Sequence, residues 1–306
     1  MAGNKKTTIC DVPGIRIGHF HQLQAKTGCT VIIPDQEAIC GVDVRGSAPG
    51  TREIELLKPV RLVQKINAIL LTGGSAFGLD AAGGVQQYLE ERNLGFDTGV
   101  ARVPIVPTAV IFDLAVGDPY TRPDKSFGYQ ACQNASYSTN EGQIGAACGA
   151  TVGKLLGIAN ASPGGLGTAS IILPDGLVVG ALSVVNALGE IIDDQGRILA
   201  GIRRQGSHSF IPSLDILSSY SKPAQFTDSN TTLTVVATNA SLTRESATKI
   251  AEMAQDGLAL AIRPSHTLFD GDIVFTLSTG EFQTDISRVG ALACRVVAES
   301  IRRSVQ

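Results

Sequence analysis

Asp228–Ala240 reads DSNTTLTVVATNA, and the fold is decided by how this stretch is read. Leu233–Thr238 is a β-branched run that predicts a buried strand. The segment before it, Ile202–Asn230, carries Ser207, Ser209, Ser213, Ser218, Ser219, Ser221 and Ser229 with two prolines and little periodicity, the texture of an exposed loop. Asn230, Thr231 and Thr232 stand at the border between the two. Downstream, Thr243 is placed to cap a helix whose apolar positions Ala247, Ile250, Ala251, Ala254 and Leu258 fall at helical spacing. DIVFTLS (Asp272–Ser278) returns to period two, with Ile273, Phe275 and Leu277 on one face. Val289, Leu292, Ala293, Val296 and Val297 then recur on one helical face, and Arg302 and Arg303 follow where the helix dipole favours cations. The chain thus closes as strand, helix, strand, helix.

The same pattern extends towards the N-terminus. Thr30–Pro34 and Ala68–Thr72 are short Val- and Ile-rich runs that predict buried strands. The second enters TGGSAFGLDAAGG (Thr72–Gly84), and Leu79–Arg92 reads as a helix. In Ala169–Asn186, two apolar runs flank Pro174-Asp175-Gly176, a turn in which proline presets φ and glycine accepts a positive one, so a hairpin is predicted in a sheet covered on both sides. Neither glycine cluster fits a nucleotide site. GGSAFG lacks the GxGxxG spacing and no Gly-Lys-Ser/Thr follows, while GGLGTAS (Gly164–Ser170) precedes a strand rather than a helix. Both read as tight turns and close packing.

Composition narrows the function. The 306 residues suffice for one α/β domain with a large core, and no linker divides them. With 43% hydrophobic and 17% charged residues, intrinsic disorder is excluded. A net charge of −3 gives no general attraction to nucleic acid or anionic membranes, so neither is an expected partner. The 34 glycines exceed the roughly 21 that average usage gives, which points to close backbone approach. Trp is absent, which argues against a stacking platform for bases or sugars. Cys10, Cys29, Cys40, Cys132, Cys148 and Cys294 are scattered without a CxxC pair and read as reduced, mostly buried thiols. No apolar stretch follows Lys5 and Lys6, so no signal peptide is expected and the compartment reads as cytoplasmic. His19, His21, His208 and His266 form no HExxH pair and no GxSxG elbow exists, so each reads as a structural histidine; no metal or cofactor is expected.

The Asn230/Thr231 border carries the chemistry. A hydroxyl at the start of a rigid strand can attack the preceding carbonyl, and hydrolysis of the resulting ester leaves an N-terminal threonine. Its α-amine, titrating near pH ~8, can take the hydroxyl proton without a histidine. Two threonines opening a strand are also ordinary β-formers. By residue type alone, Lys154 reads as a surface lysine, Asp270 and Asp272 as a turn, and Asn186 as a strand-end asparagine.

Four segments, in order, resemble a known family: GSAPGTREIELL (46–57), NAILLTGGSAFGLDAAGGVQQYLEE (67–91), GQIGAACGATVGK (142–154), and NTTLTVVATNA followed by DGDIVFTLST (230–240, 270–279). The likeness is to the DmpA family of L-aminopeptidases/D-esterases, in particular its nylon-oligomer hydrolase branch, and it runs from about Gly14 to Ser300. It implies an αββα sandwich, similar to the N-terminal-nucleophile hydrolases but differently connected. It also implies a cofactor-independent amide hydrolase that cuts itself between Asn230 and Thr231 into fragments 1–230 and 231–306, with Thr231 as nucleophile. Asp270 and Asp272 match the carboxylates beside that nucleophile, Lys154 a catalytic-site lysine, and Asn186 the oxyanion asparagine. The branch has AVIYD where this chain has AVIFD (109–113), so Phe112 can line the pocket but brings no hydroxyl. The implied substrates are peptides, amino-acid amides or esters, or 6-aminohexanoate oligomers, and the implied assembly is a tetramer of processed protomers. Acyl transfer of the ornithine acetyltransferase type and a non-catalytic small-ligand-binding role are the alternative readings.

Overall fold

A computed structural model describes residues 6–204, 206, 209–219 and 230–306. The strands that build its two main sheets are β1 (Ile15–Gln22), β2 (Thr27–Pro34), β3 (Ala38–Val44), β4 (Thr51–Arg52), β5 (Lys65–Ile66), β6 (Ile69–Thr72), β7 (Thr108–Val110), β8 (Gly165–Ile172), β9 (Val178–Asn186), β10 (Thr231–Ala240) and β11 (Ile273–Phe282). One sheet has the order β1-β2-β6-β7-β4 and the other β8-β9-β10-β11-β3-β5. Pairing is antiparallel except between β6 and β7 and between β10 and β11.

Both faces of the central strands are covered, which is why their sequences are continuous apolar runs. In β10, Val235 enters the core between the sheets, where Ile32, Leu71, Leu182 and Phe275 also lie. Its neighbour Val236 points the other way, into a core shared with the helices α4 (Arg244–Ala261) and α5 (Ile286–Arg303). Opposite, Val31 and Leu70 pack on α1 (Ala81–Glu90) and α2 (Lys125–Gln133). Helices, sheet, sheet, helices gives the αββα layering. As the sequence predicts, Thr243 caps α4 by accepting the Ser246 N–H, and Pro174–Gly176 turns the β8–β9 hairpin. Part of the glycine excess lies in the outer layer: a Cβ on Gly84 would stand 1.8 Å from the Lys125 carbonyl oxygen, and one on Gly128 2.0 Å from that of Ala81.

Two expectations need adjusting. The helix expected over Leu79–Arg92 begins as a 3-10 turn, Ser75–Asp80, before α1. The serine-rich segment is not simply a loop: Ile202–Arg203 pairs with Phe210–Ile211, and Ser213–Ser219 forms a short helix, α3. Glu190, buried under this helix, accepts the N–H of Ser213 at 3.1 Å and also bonds its hydroxyl. Residues 205, 207, 208 and 220–229, with His208, Ser207, Ser221 and Ser229, lie outside the described residues. Among the described residues no helix is long and apolar enough to cross a membrane.

Candidate active site

Three strand ends meet at the border between the polar segment and β10. Asn186, the last residue of β9, stands opposite Thr231, the first of β10. Because β11 runs parallel to β10, the residues entering the two strands also lie side by side, and Asn230 pairs with Asp270. Topology thus brings NTT, DGD and the end of LSVVN into one place. Every side chain there is buried: Lys154 is 4% exposed, Thr231 3%, Asp270 and Asp272 1%, Asn186 and Asn230 0%.

The Asn230 carbonyl is the centre of the arrangement. Its oxygen accepts the Thr231 hydroxyl at 2.5 Å and the Gly271 N–H at 2.7 Å. Gly271 is required by space: a Cβ would stand 2.8 Å from Thr231 Oγ1 and 2.7 Å from the Ala48 carbonyl oxygen. A hydroxyl and a backbone donor on one carbonyl is an arrangement that can acylate the hydroxyl and stabilise the oxyanion that forms.

The flanking carboxyls differ in their partners. Asp272 Oδ1 accepts the Thr232 N–H at 2.8 Å, while Oδ2 accepts the His266 N–H at 3.0 Å and bonds His266 Nδ1 at 2.9 Å. Asp270 Oδ2 accepts the Thr267 hydroxyl at 2.5 Å and its N–H at 2.9 Å. Burial, and next the charge of Asp272, push Asp270 up to about 6 against those hydrogen bonds.

Lys154 is not at the surface. Its ammonium donates to the Asn186 carbonyl oxygen at 2.9 Å and to Asn186 Oδ1 at 2.8 Å. Oδ1 also accepts the Thr151 N–H at 3.0 Å, and Nδ2 donates to the Phe112 carbonyl oxygen at 3.1 Å. One amide proton of Asn186 is so committed, and the amide carries a second. Phe112, half-buried, is held beside the cluster through its backbone.

Two residues of this region escape a reading by residue type. Asp113, 3% exposed, accepts the Gly74 N–H at 2.7 Å through Oδ1, and burial pushes it up to about 6, opposed by that bond and by the Lys154 charge. The available signal is a lone acid closing the apolar run TAVIF. His266 is the other, signalled by its place four residues before Asp270-Gly271-Asp272. His19 does fit the structural reading: half-buried, with its ring nitrogens against the hydroxyls of Thr30 and Thr139, it is lowered to about 4, chiefly by desolvation of the ring. Among the described residues no group of three or more His, Cys, Asp or Glu is arranged to hold a metal ion.

Residues 7–306 match the model of peptidase family S58. An uncharacterized aminopeptidase of Mycobacterium tuberculosis is 44% identical over 289 residues, covering 89% of this chain and 81% of the relative. A 6-aminohexanoate-oligomer endohydrolase of Kocuria is 28% identical over 320 residues, covering 97% and 85%. The solved structure of the L-aminopeptidase D-Ala-esterase/amidase from Ochrobactrum anthropi, described as a variant of the Ntn hydrolase fold, superposes with a TM-score of 0.69 at 16% identity, covering 99% of this chain and 87% of that one. The fold is therefore of the Ntn-hydrolase type, and the chain belongs to peptidase family S58, the family its motifs resemble, as a hydrolase acting on amide bonds.

Proposed function

We propose that the protein cuts its own Asn230–Thr231 bond and then hydrolyses amides with Thr231 as an N-terminal nucleophile. One observation carries this reading: the Thr231 hydroxyl lies 2.5 Å from the Asn230 carbonyl oxygen, which also accepts the Gly271 N–H. Oγ1 attacks the Asn230 carbonyl carbon, and the Gly271 N–H stays on the oxygen as it becomes an oxyanion. The C–N bond then breaks, the nitrogen takes the hydroxyl proton and becomes the α-amine, and Asn230 remains as an ester on Thr231. Water hydrolyses the ester, giving fragments 1–230 and 231–306.

In the processed protein the amine, titrating near pH ~8, takes the Oγ1 proton as a substrate amide is attacked. The substrate acyl group passes to Thr231, its amine leaves with that proton, and water releases the acid. Asn186, steadied by Lys154, offers its second amide proton to the oxyanion, and Asp270 and Asp272 flank the freed amine. The substrates are peptides, amino-acid amides or esters, or 6-aminohexanoate oligomers; the names of the relatives support this class, and Phe112 is the candidate pocket wall. The reading extends to tetramers of processed protomers in the cytoplasm, checked by sizing the cleaved protein.

Thr231→Ala is expected to leave one chain of 31.9 kDa on a denaturing gel and no turnover. N-terminal sequencing of the small wild-type fragment is expected to begin TTLTVV. A variant that still splits, or still hydrolyses amides, overturns the proposal.

A further inference from the structure

His266 has no part in the scheme above, yet it makes two of the bonds that hold Asp272. It sits at φ +58°, a backbone conformation that L-residues other than Asn and Asp seldom adopt. That conformation turns both its backbone N–H and its ring towards Asp272 Oδ2, at 3.0 and 2.9 Å. The other carboxylate oxygen, Oδ1, holds the Thr232 N–H at 2.8 Å. One continuous path of hydrogen bonds therefore runs from the imidazole, through a carboxylate 1% exposed, to the residue that follows Thr231.

The ring's tautomer follows from its surroundings. A carboxylate oxygen only accepts, so Nδ1 carries the proton in this bond. Nε2 is buried and has no hydrogen-bond partner among the described residues. A ring protonated on Nδ1 is the form this bond requires.

We propose that His266 is a positioning residue: it orients the Asp272 carboxylate, which in turn fixes the Thr232 amide and with it the direction in which Thr231 presents its hydroxyl and amine. This rests on Thr231 being the nucleophile. Before processing, Thr231 is held by the peptide bonds on both sides. Afterwards it is a chain end, and the Thr232 N–H, donated to Asp272 Oδ1 at 2.8 Å, ties the residue next to it to the carboxylate. Loosening the carboxylate lets the terminus swing, and a misplacement of about 1 Å at a reacting group costs on the order of 10²-fold in rate.

The test separates the ring's donor from the backbone conformation. Asn and Gly both accept a positive φ, but only Asn offers a side-chain N–H close to where Nδ1 lies. His266→Asn is expected to keep kcat within about 3-fold of wild type, and His266→Gly to lose roughly 10–100-fold in kcat with KM unchanged and self-cleavage slowed. Melting temperatures of the two variants are expected to match. Equal kcat for Gly and Asn, or equal loss in both, overturns the role. Should the Gly variant not fold, the wild-type protein with 15N-labelled histidine decides: the chain has four histidines, and the His266→Asn spectrum identifies the missing one. A ring protonated at Nδ1 is expected for His266, and a ring protonated at Nε2 alone overturns the proposal. A wild-type small fragment beginning elsewhere than TTLTVV instead defeats the nucleophile assignment, so the two failures are distinguishable.

Discussion

Two glycine turns in this molecule each aim a backbone N–H at a buried oxygen, and only one of those oxygens belongs to a peptide bond with a hydroxyl against it. At Thr72–Gly78, the Gly74 N–H meets a side chain, Asp113, and a Cβ on Gly73 would stand 2.1 Å from Asp113 Oδ2. At Asp270–Asp272, the Gly271 N–H meets the Asn230 carbonyl and the glycine leaves room for Thr231 Oγ1. Both turns keep an aspartate that is pushed up to about 6, chiefly by burial. If the proposed function holds, a buried acid with a raised pKa beside a glycine is therefore not what distinguishes a reactive centre. The distinguishing feature is that donor, carbonyl and hydroxyl converge on one bond.

Substituting one glycine in each turn separates the two roles. Gly271→Ala is expected to have the largest effect, because its methyl group enters the space of the Thr231 hydroxyl at 2.8 Å and must displace it. Self-cleavage, followed as band conversion on a denaturing gel, is expected to slow by on the order of 10²-fold or more. Cleavage at the wild-type rate would mean that this turn, too, is only packing. In the other turn, a Cβ on Gly78 would stand 1.9 Å from the Gly73 carbonyl oxygen. Gly78→Ala is expected to cost roughly 1–3 kcal/mol of stability, seen as a lower Tm, while the folded fraction still cleaves at the wild-type rate. A Gly78→Ala protein with unchanged Tm and slow cleavage would erase the contrast.

What the sequence makes legible, and what it hides, divides along contact distance. The strand Leu233–Thr238 and the face Ile273, Phe275, Leu277 are readable because burial on both faces of a central strand removes polar residues from the run itself. The cap at Thr243 is local as well, since its partner Ser246 is three residues away. Helix α3 is not readable in this way: Glu190, which holds its first residue Ser213, lies 23 residues earlier in the chain. Lys154 looks like a surface lysine until β9 delivers Asn186 to it across 32 residues. In the site, the motif resemblance puts Thr231, Lys154, Asn186, Asp270 and Asp272 together before any coordinates do. Asp113 and His266 stay hidden because their significance lies in partners that a turn brings in. For Asp113 the turn is Gly73–Gly74, some 39 residues away. For His266 it is its own left-handed backbone, which no residue type announces.

The last effect belongs to the quieter of the two aspartates, and it is present only over part of the pH range. Asp113 ionises around 3.8 when solvated and is raised to about 6 in the folded chain. At acid pH the group is neutral in both states and costs nothing. As pH rises past 3.8 the unfolded chain ionises first, which draws the equilibrium towards unfolding, and the loss is complete once the folded group ionises too, above about 6. A shift of about 2 pKa units corresponds to roughly 3 kcal/mol, an upper figure. Asp113→Asn removes this ionisation while leaving an oxygen for the Gly74 N–H. Its unfolding free energy relative to wild type is therefore expected to improve by about 1–3 kcal/mol between about pH 4 and about pH 7, read by denaturant titration at each pH. The Lys154 charge favours the ionised carboxylate and trims the gain. If the variant instead loses stability as pH rises, the ionised form of Asp113 is needed as a counter-charge to Lys154, and the turn at Gly73–Gly74 belongs to the reactive machinery after all.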